Sequence, residues 1–298
     1  MTTDNTAITI PIGRFTMDIP LNMKAAARSA SIRDCELREI VWPTGIDSAA
    51  TRISAWEKRL TEIQAMRVPR GEKQVIIEQK KLSDVGQGGH AVFYYGDGAT
   101  NRMAFWDVLI DYNHSGLWIK SRARTELKES ILNENIDIAR AYKPISPHYD
   151  PPQKNWFFLE HGAIMLPYLE QEETYARFEG HPLDVKLEVK TTAVHKVSDS
   201  GLVDRLSASL AMNFAPGVDV DKLRTGKRTA AGLNGEEVIF RGTQNGESEL
   251  SFTWLYTGQV DSGDAPKISI EMEASDGKVD EKLKLWDALL NSFKPIGR

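Results

Sequence analysis

Apolar and polar positions alternate over much of this chain, and where the alternation lapses the apolar spacing widens to that of a helix. Phe15, Met17 and Ile19 alternate with polar residues before Pro20, the period of a half-buried strand. A second strand is expected from Cys35 to Trp42, closed by Pro43 and Gly45. Ala49, Ile53, Trp56, Leu60 and Ile63 then recur at spacings of 4, 3, 4 and 3, behind a cap at Asp47 or Ser48. That stripe predicts an amphipathic helix. Strands are expected at Gln74–Gln79, His90–Tyr95, Met103–Asp111 and Leu117–Lys120, and a helix from Thr125 to Tyr142.

The second half follows the same order. Strands are expected at Phe157–Leu166, ended by Pro167, and at Leu183–Val189. A helix follows Asp199-Ser200 with Val203, Leu206 and Leu210 on one face. Strands near Lys222–Ala230, Glu237–Arg241, Leu250–Tyr256 and Lys267–Glu273 precede a last helix carrying Leu283, Trp286, Leu290 and Phe293. Each half reads ββαββββα. The expected class is therefore α+β: two tandem related domains, each a mostly antiparallel sheet with two helices packed on it.

Matches at one offset support the repeat. Tyr142-Lys143-Pro144-Ile145 answers Phe293-Lys294-Pro295-Ile296 across 151 residues, Asp47-Ser48 answers Asp199-Ser200 across 152, and Trp106 answers Trp254 across 148. Gly89 and Ala91-Val92-Phe93 answer Gly235 and Val238-Ile239-Phe240. A period this long is a domain's length and excludes a solenoid. The expected division is 1–145, a linker at 146–155 and a second domain at 156–298. Four prolines within Lys143–Pro152 favour a stiff, extended spacer.

The chain has 298 residues, with 41% hydrophobic and 27% charged content, an ordinary globular composition. Net charge is −5 and uneven: 20 Lys and Arg face 19 Asp and Glu in residues 1–150, against 17 and 23 afterwards. An acidic second half argues against nucleic acid or anionic lipid as its main partner. Cys35 is the only cysteine, so no intrachain disulfide or thiolate cluster can form. No stretch reaches the apolar length of a transmembrane helix. Met1-Thr2-Thr3-Asp4-Asn5 lacks the features of a signal peptide, so the expectation is either no export or a leader already removed.

Catalytic motifs are missing. There is no G-x-S-x-G elbow, Walker A loop, H-E-x-x-H or G-x-G-x-x-G after a strand. The histidines 90, 114, 148, 161, 181 and 195 lack metal-ligand spacing, so neither metal nor cofactor is expected. Gly86-Gln87-Gly88-Gly89-His90 precedes a strand and is read as a turn, not a phosphate loop. Asp219 and Asp221 lack the rest of a calcium loop and are read as a solvated turn. Arg224, Arg228, Glu236 and Glu237 flank an expected hairpin whose turn contains Gly232 and Gly235, suited to a cross-strand ion-pair network. Tyr168-Leu169-Glu170-Gln171-Glu172-Glu173-Thr174-Tyr175 is acidic with interleaved tyrosines. It is expected to be a loop or short helix, a composition suited to a basic protein partner.

The second half, from Trp156 to Pro295, resembles the C-terminal domain of the immunity proteins that neutralise type VI secretion phospholipase effectors. The resemblance rests on Leu223-Arg224-Thr225-Gly226-Lys227-Arg228 and Ala231-Gly232-Leu233-Asn234-Gly235-Glu236-Glu237, then on Phe252-Thr253-Trp254 and Pro266–Met272. It ends with Leu285-Trp286-Asp287-Ala288-Leu289-Leu290-Asn291-Ser292-Phe293. Gly13-Arg14-Phe15 and Ile19-Pro20 resemble the family's N-terminal domain more faintly. At Phe158 and Leu159 this chain lacks the cysteine that the family pattern suggests as a partner for Cys35.

The resemblance implies a non-catalytic inhibitor, without cofactor, acting in the periplasm as a 1:1 complex with its effector, with the cytoplasm as the alternative location. Arg224, Gly226, Arg228, Gly232, Gly235, Glu236, Glu237, Trp254 and Trp286 are read as structural. Partner contacts are expected at Tyr95 and Asp97 and at Tyr168, Glu170, Glu172, Glu173 and Tyr175. The competing reading is a periplasmic ligand- or lipid-binding protein with a pocket between the domains.

Overall fold

The structure, a computed structural model, describes residues 7–45, 48–96, 98, 100–145, 155–169, 171–196, 218–244 and 246–297. The first strands are β1 (Ala7–Ile12), β2 (Phe15–Pro20), β3 (Lys24–Ile32) and β4 (Cys35–Val41), followed by helix α1 (Ser48–Gln64). Next come β5 (Ile76–Leu82), β6 (Gly89–Tyr95), β7 (Met103–Asp111) and β8 (Ser115–Arg124), then α2 (Lys128–Ala141) and β9 (Tyr142–Pro144). The later strands begin with β10 (Phe157–Phe158), β11 (Gly162–Ile164), β12 (Glu173–Glu179) and β13 (Val185–Thr192). The rest are β14 (Val218–Ala230), β15 (Leu233–Gln244), β16 (Glu247–Tyr256), β17 (Lys267–Ser275), α3 (Val279–Ser292) and β18 (Lys294–Pro295). The fold is mixed α/β, with mostly antiparallel sheets and few helices.

Two compact units emerge, and they do not follow the expected cut between 145 and 156. The first joins Met1–Ser29 and Pro151–Phe158 to Tyr168–Arg298; the second holds Ala30–Asp150 and Leu159–Pro167. The expected linker falls almost wholly outside the described residues, as does the helix expected after Asp199-Ser200.

In the first unit the strands run β14-β15-β16-β17-β13-β12. Leu187, Val189, Phe252, Trp254, Ile268, Ile270 and Met272 point from them into one core. Trp286 of α3 is fully buried there, with its ring 5.7 Å from that of Phe252. The N-terminal hairpin completes this core. Gly13-Arg14 turns β1 into β2 with Gly13 at φ +59°, and a Cβ at Gly13 would meet the Thr174 hydroxyl at 2.8 Å. Phe15 stacks on Phe293 at 5.0 Å, Met17 and Ile19 are fully buried, and β2 pairs with β18 through Phe15–Pro295 and Thr16–Lys294.

In the second unit the strands run β4-β8-β7-β6-β5, with Ala30–Ile32 of β3 pairing Leu37–Cys35 of β4. Trp56 of α1 packs against Trp118 at 6.1 Å, and Arg59 reaches the buried Asp107 at 2.6 Å and the Tyr94 hydroxyl at 2.9 Å. Here β9 pairs with β11 through Tyr142–Ile164 and Lys143–Ala163. The strand that closes each unit therefore takes its partner from the opposite half of the chain.

Several elements differ from the sequence reading. Phe157–Leu166 is two short strands around a turn, since the Leu159 amide folds back to the Gly162 carbonyl. β3 escaped notice because its small and charged residues are mostly exposed and write no apolar alternation. β12 was read as the end of an acidic loop. Its inward residues are Thr174, Ala176 and Phe178, and only the last is a large hydrophobe. Gly235 lies within β15, not in the hairpin turn, which is Ala231-Gly232.

Phe15 supplies a test of the first unit's composition. Phe15→Ala is predicted to cost about 3–5 kcal/mol of stability, read from urea unfolding followed by tryptophan fluorescence. A loss below about 1 kcal/mol would mean that the N-terminal hairpin contributes little to this core.

Candidate partner-binding surfaces

The acidic stretch divides into groups with different roles. Glu172 is only 7% exposed and accepts from Arg14 Nε and Nη2 at 2.7 and 2.6 Å. The Leu169 amide donates to the same carboxylate at 2.8 Å, and Arg14 Nη1 donates to the Asn155 carbonyl at 2.9 Å. This bidentate pair is internal, so Glu172 is an anchor of the fold and no longer a contact residue. Glu173 pairs with Lys190 at 2.8 Å at the surface, and Tyr175 is half-buried on β12. Tyr168 lines a cavity of about 380 Å³ with Arg14, Trp156 and Asp264. Glu170 lies outside the described residues.

Tyr95 is also internal. It is 9% exposed, its amide donates to the Val75 carbonyl, and burial together with nearby Glu72 pushes its phenol up. It is therefore removed as a contact residue, and Asp97 lies outside the described residues.

The arginine–glutamate hairpin closes on α3. Glu237, 4% exposed, pairs with Arg224 and Arg228 at 2.8 Å each and accepts from Trp286 Nε1 at 2.7 Å. Asp287 of α3 meets the same arginines at 2.7 and 2.5 Å. The cluster is charge-balanced, and its members come from β14, β15 and α3. Asp287 was missed as a member, although its place beside Trp286 put it at the right helical face. Glu236 stands on the opposite face, across from Lys227, while Gly226 lies across from Glu237. A Cβ on Gly235 would meet the Trp254 ring at 2.6 Å, so glycine there lets Trp254 lie flat and donate to the Arg228 carbonyl at 2.9 Å.

Among the described residues, no cluster of three His, Cys, Asp or Glu could hold a metal ion. His90 stacks on Trp56 at 5.2 Å, and Asp221 pairs with Arg241 at 3.5 Å. Burial pushes the Cys35 thiol up to about 12, and its Sγ donates to Asn135 Oδ1 at 3.2 Å. Such a thiol is inert. No helix among the described residues is long and apolar enough to cross a membrane.

Residues 150–295 match the family model described as the Tle cognate immunity protein 4 C-terminal domain, and this part of the chain belongs to that non-catalytic immunity family. No curated protein matches the sequence. Among solved structures, the apo immunity protein TplEi of the type VI secretion system of Pseudomonas aeruginosa shares 17% identity, covers 99% of this chain and 98% of its own, and has a TM-score of 0.79. A Tle4–Tli4 complex gives 17%, 99% of each chain and 0.78. TplEi bound to an "L" peptide gives 16%, 99% of each chain and 0.72. At such identity the structural likeness concerns the fold.

Two substitutions test the ion pairs. Glu172→Ala would strand the Arg14 guanidinium, only 12% exposed, and is predicted to cost about 3–5 kcal/mol in chemical denaturation. A neutral effect would contradict an anchoring role. Burial opposes ionisation of Asp287, but hydrogen bonds from Arg224 and Arg228 win and hold its carboxyl below the ordinary 3.8. Its contribution is therefore present above about pH 4 and fades as pH falls through the depressed folded value. Asp287→Asn should lower the melting temperature at pH 7 and narrow the difference between pH 7 and pH 3. Parallel melting curves against pH for both proteins would exclude this linkage.

Proposed function

We propose that this chain is an immunity protein that binds and silences a type VI secretion phospholipase effector, one copy to one, in the periplasm. The family match over residues 150–295 carries the reading. The existence of a Tle4–Tli4 complex with the same fold supports a direct inhibitory contact. Both units are proposed to grip the effector. Silencing an enzyme at low concentration needs nanomolar affinity, roughly −12 kcal/mol, and an interface of about 1,600 Å² or more. Two preformed units would offer that area with little ordering cost. Tyr168, Glu173 and Tyr175 are the sequence-derived contact candidates that keep accessible surface.

We also infer that the halves arose by duplication, with 1–145 and 156–298 as the repeated stretches. In support, β12-β13-β17-β16-β15-β14 has the strand sequence of β3-β4-β8-β7-β6-β5, and both Lys-Pro motifs fall on the strand that follows a helix. Trp106 and Trp254 sit on corresponding strands, β7 and β16.

Co-expression with the lipase encoded beside it should yield a stable 1:1 complex by size-exclusion chromatography with light scattering, and lipase activity should disappear at equimolar ratio. A fully active lipase with no complex would defeat the proposal.

A further inference from the structure

A groove of about 770 Å³ opens on the second unit, lined by residues beside and within β4, by β7 and β8, and by the segment leading into α2. Its apolar side is Met103 and Phe105 of β7 together with Leu127, which is 51% exposed. Its basic side is Lys120, Arg122 and Arg124 of β8. Strand register places Arg122 across from Phe105 and Arg124 across from Met103, so cations and apolar groups share one face. The Lys120 ammonium lies 5.1 Å from the Phe105 ring centroid.

Several cations elsewhere in this unit are matched. Arg52 pairs with Asp111, Arg59 with Asp107, Lys80 with Glu129, Lys128 with Glu78 and Arg140 with Asp84. Among the described residues, Lys120, Arg122 and Arg124 form no ion pair, although carboxylates lie near. Asp34 and Glu36 line the β4 side of the groove, and Glu36 stands across from Lys120 in the ladder. Three unmatched cations beside exposed apolar surface form a binding face for an anionic chain. The two carboxylates would repel such a chain from β4 and confine it over β7 and β8.

We propose that this groove receives an acidic segment of the effector, with one apolar side chain seated on Phe105 and Leu127 and carboxylates at Arg122 and Arg124. The proposal rests on the immunity reading above and names a surface for it. It differs from the tyrosine-rich acidic stretch, which suits a basic partner.

The test uses the intact chain and the lipase encoded beside it. Affinity is measured by biolayer interferometry at 50 and 300 mM salt for wild type, Arg122→Glu/Arg124→Glu, Leu127→Ser, and a control Glu271→Lys/Glu273→Lys on exposed positions of β17. The double arginine variant should bind at least 100-fold more weakly at 50 mM salt and show a flatter salt dependence. Leu127→Ser should weaken binding about tenfold at both salts, while the control stays within threefold. Melting temperatures of the variants matching wild type exclude misfolding as the cause. Wild-type binding and inhibition with undiminished affinity in both groove variants would overturn the groove and leave the immunity reading intact. Absence of any wild-type complex would overturn both. Loss of self-association by the groove variants, without loss of lipase affinity, would assign the face to a second copy of this chain and overturn the proposal.

Discussion

The contact on which the first unit depends is the stacking of Phe15 on Phe293 at 5.0 Å, where the first and last described segments share one core. The adjoining ladder from β2 to β18 is only two residue pairs long and could not hold the hairpin by hydrogen bonds alone. Burial does most of the work: Phe15, Met17 and Ile19 each remove a large side chain from water, worth about 1.5–3 kcal/mol apiece. The buried Arg14–Glu172 pair then fixes how the turn of that hairpin sits against the later chain. An N-terminal segment thus becomes an obligatory part of a unit built mainly from residues beyond 168.

Charge is used in two ways. At Glu237 buried charge is matched, since the carboxylate satisfies two arginines and a tryptophan at once. Matching of this kind makes the surroundings rigid. Where charge is exposed in the groove of the second unit, it is left without an internal partner.

Legibility in the sequence followed side-chain size. Helices α1 and α3 were readable because Trp56, Leu60, Ile63 and then Leu283, Trp286, Leu290 are large and regularly spaced. Strands β7 and β16 were readable for the same reason. β3 and β12 were not, because short or charged side chains write no apolar period. The hairpin network was anticipated at Arg224, Arg228 and Glu237, yet Asp287 completes it from fifty positions further on. Glu172 was misread because a carboxylate among tyrosines looks solvated until its arginine, 158 residues away, is in place.

By itself the sequence determined the broad class of fold, the large-residue helices and strands, the family resemblance, and the absence of a recognisable catalytic motif. These depend on local periodicity and short motifs, which the order of residues records directly. Only the tertiary structure decided which segments make each compact unit, which acidic residues are buried and which cations are left unmatched. Each of those depends on contacts between residues far apart in the chain, and local sequence carries no term for a partner that folding alone brings near.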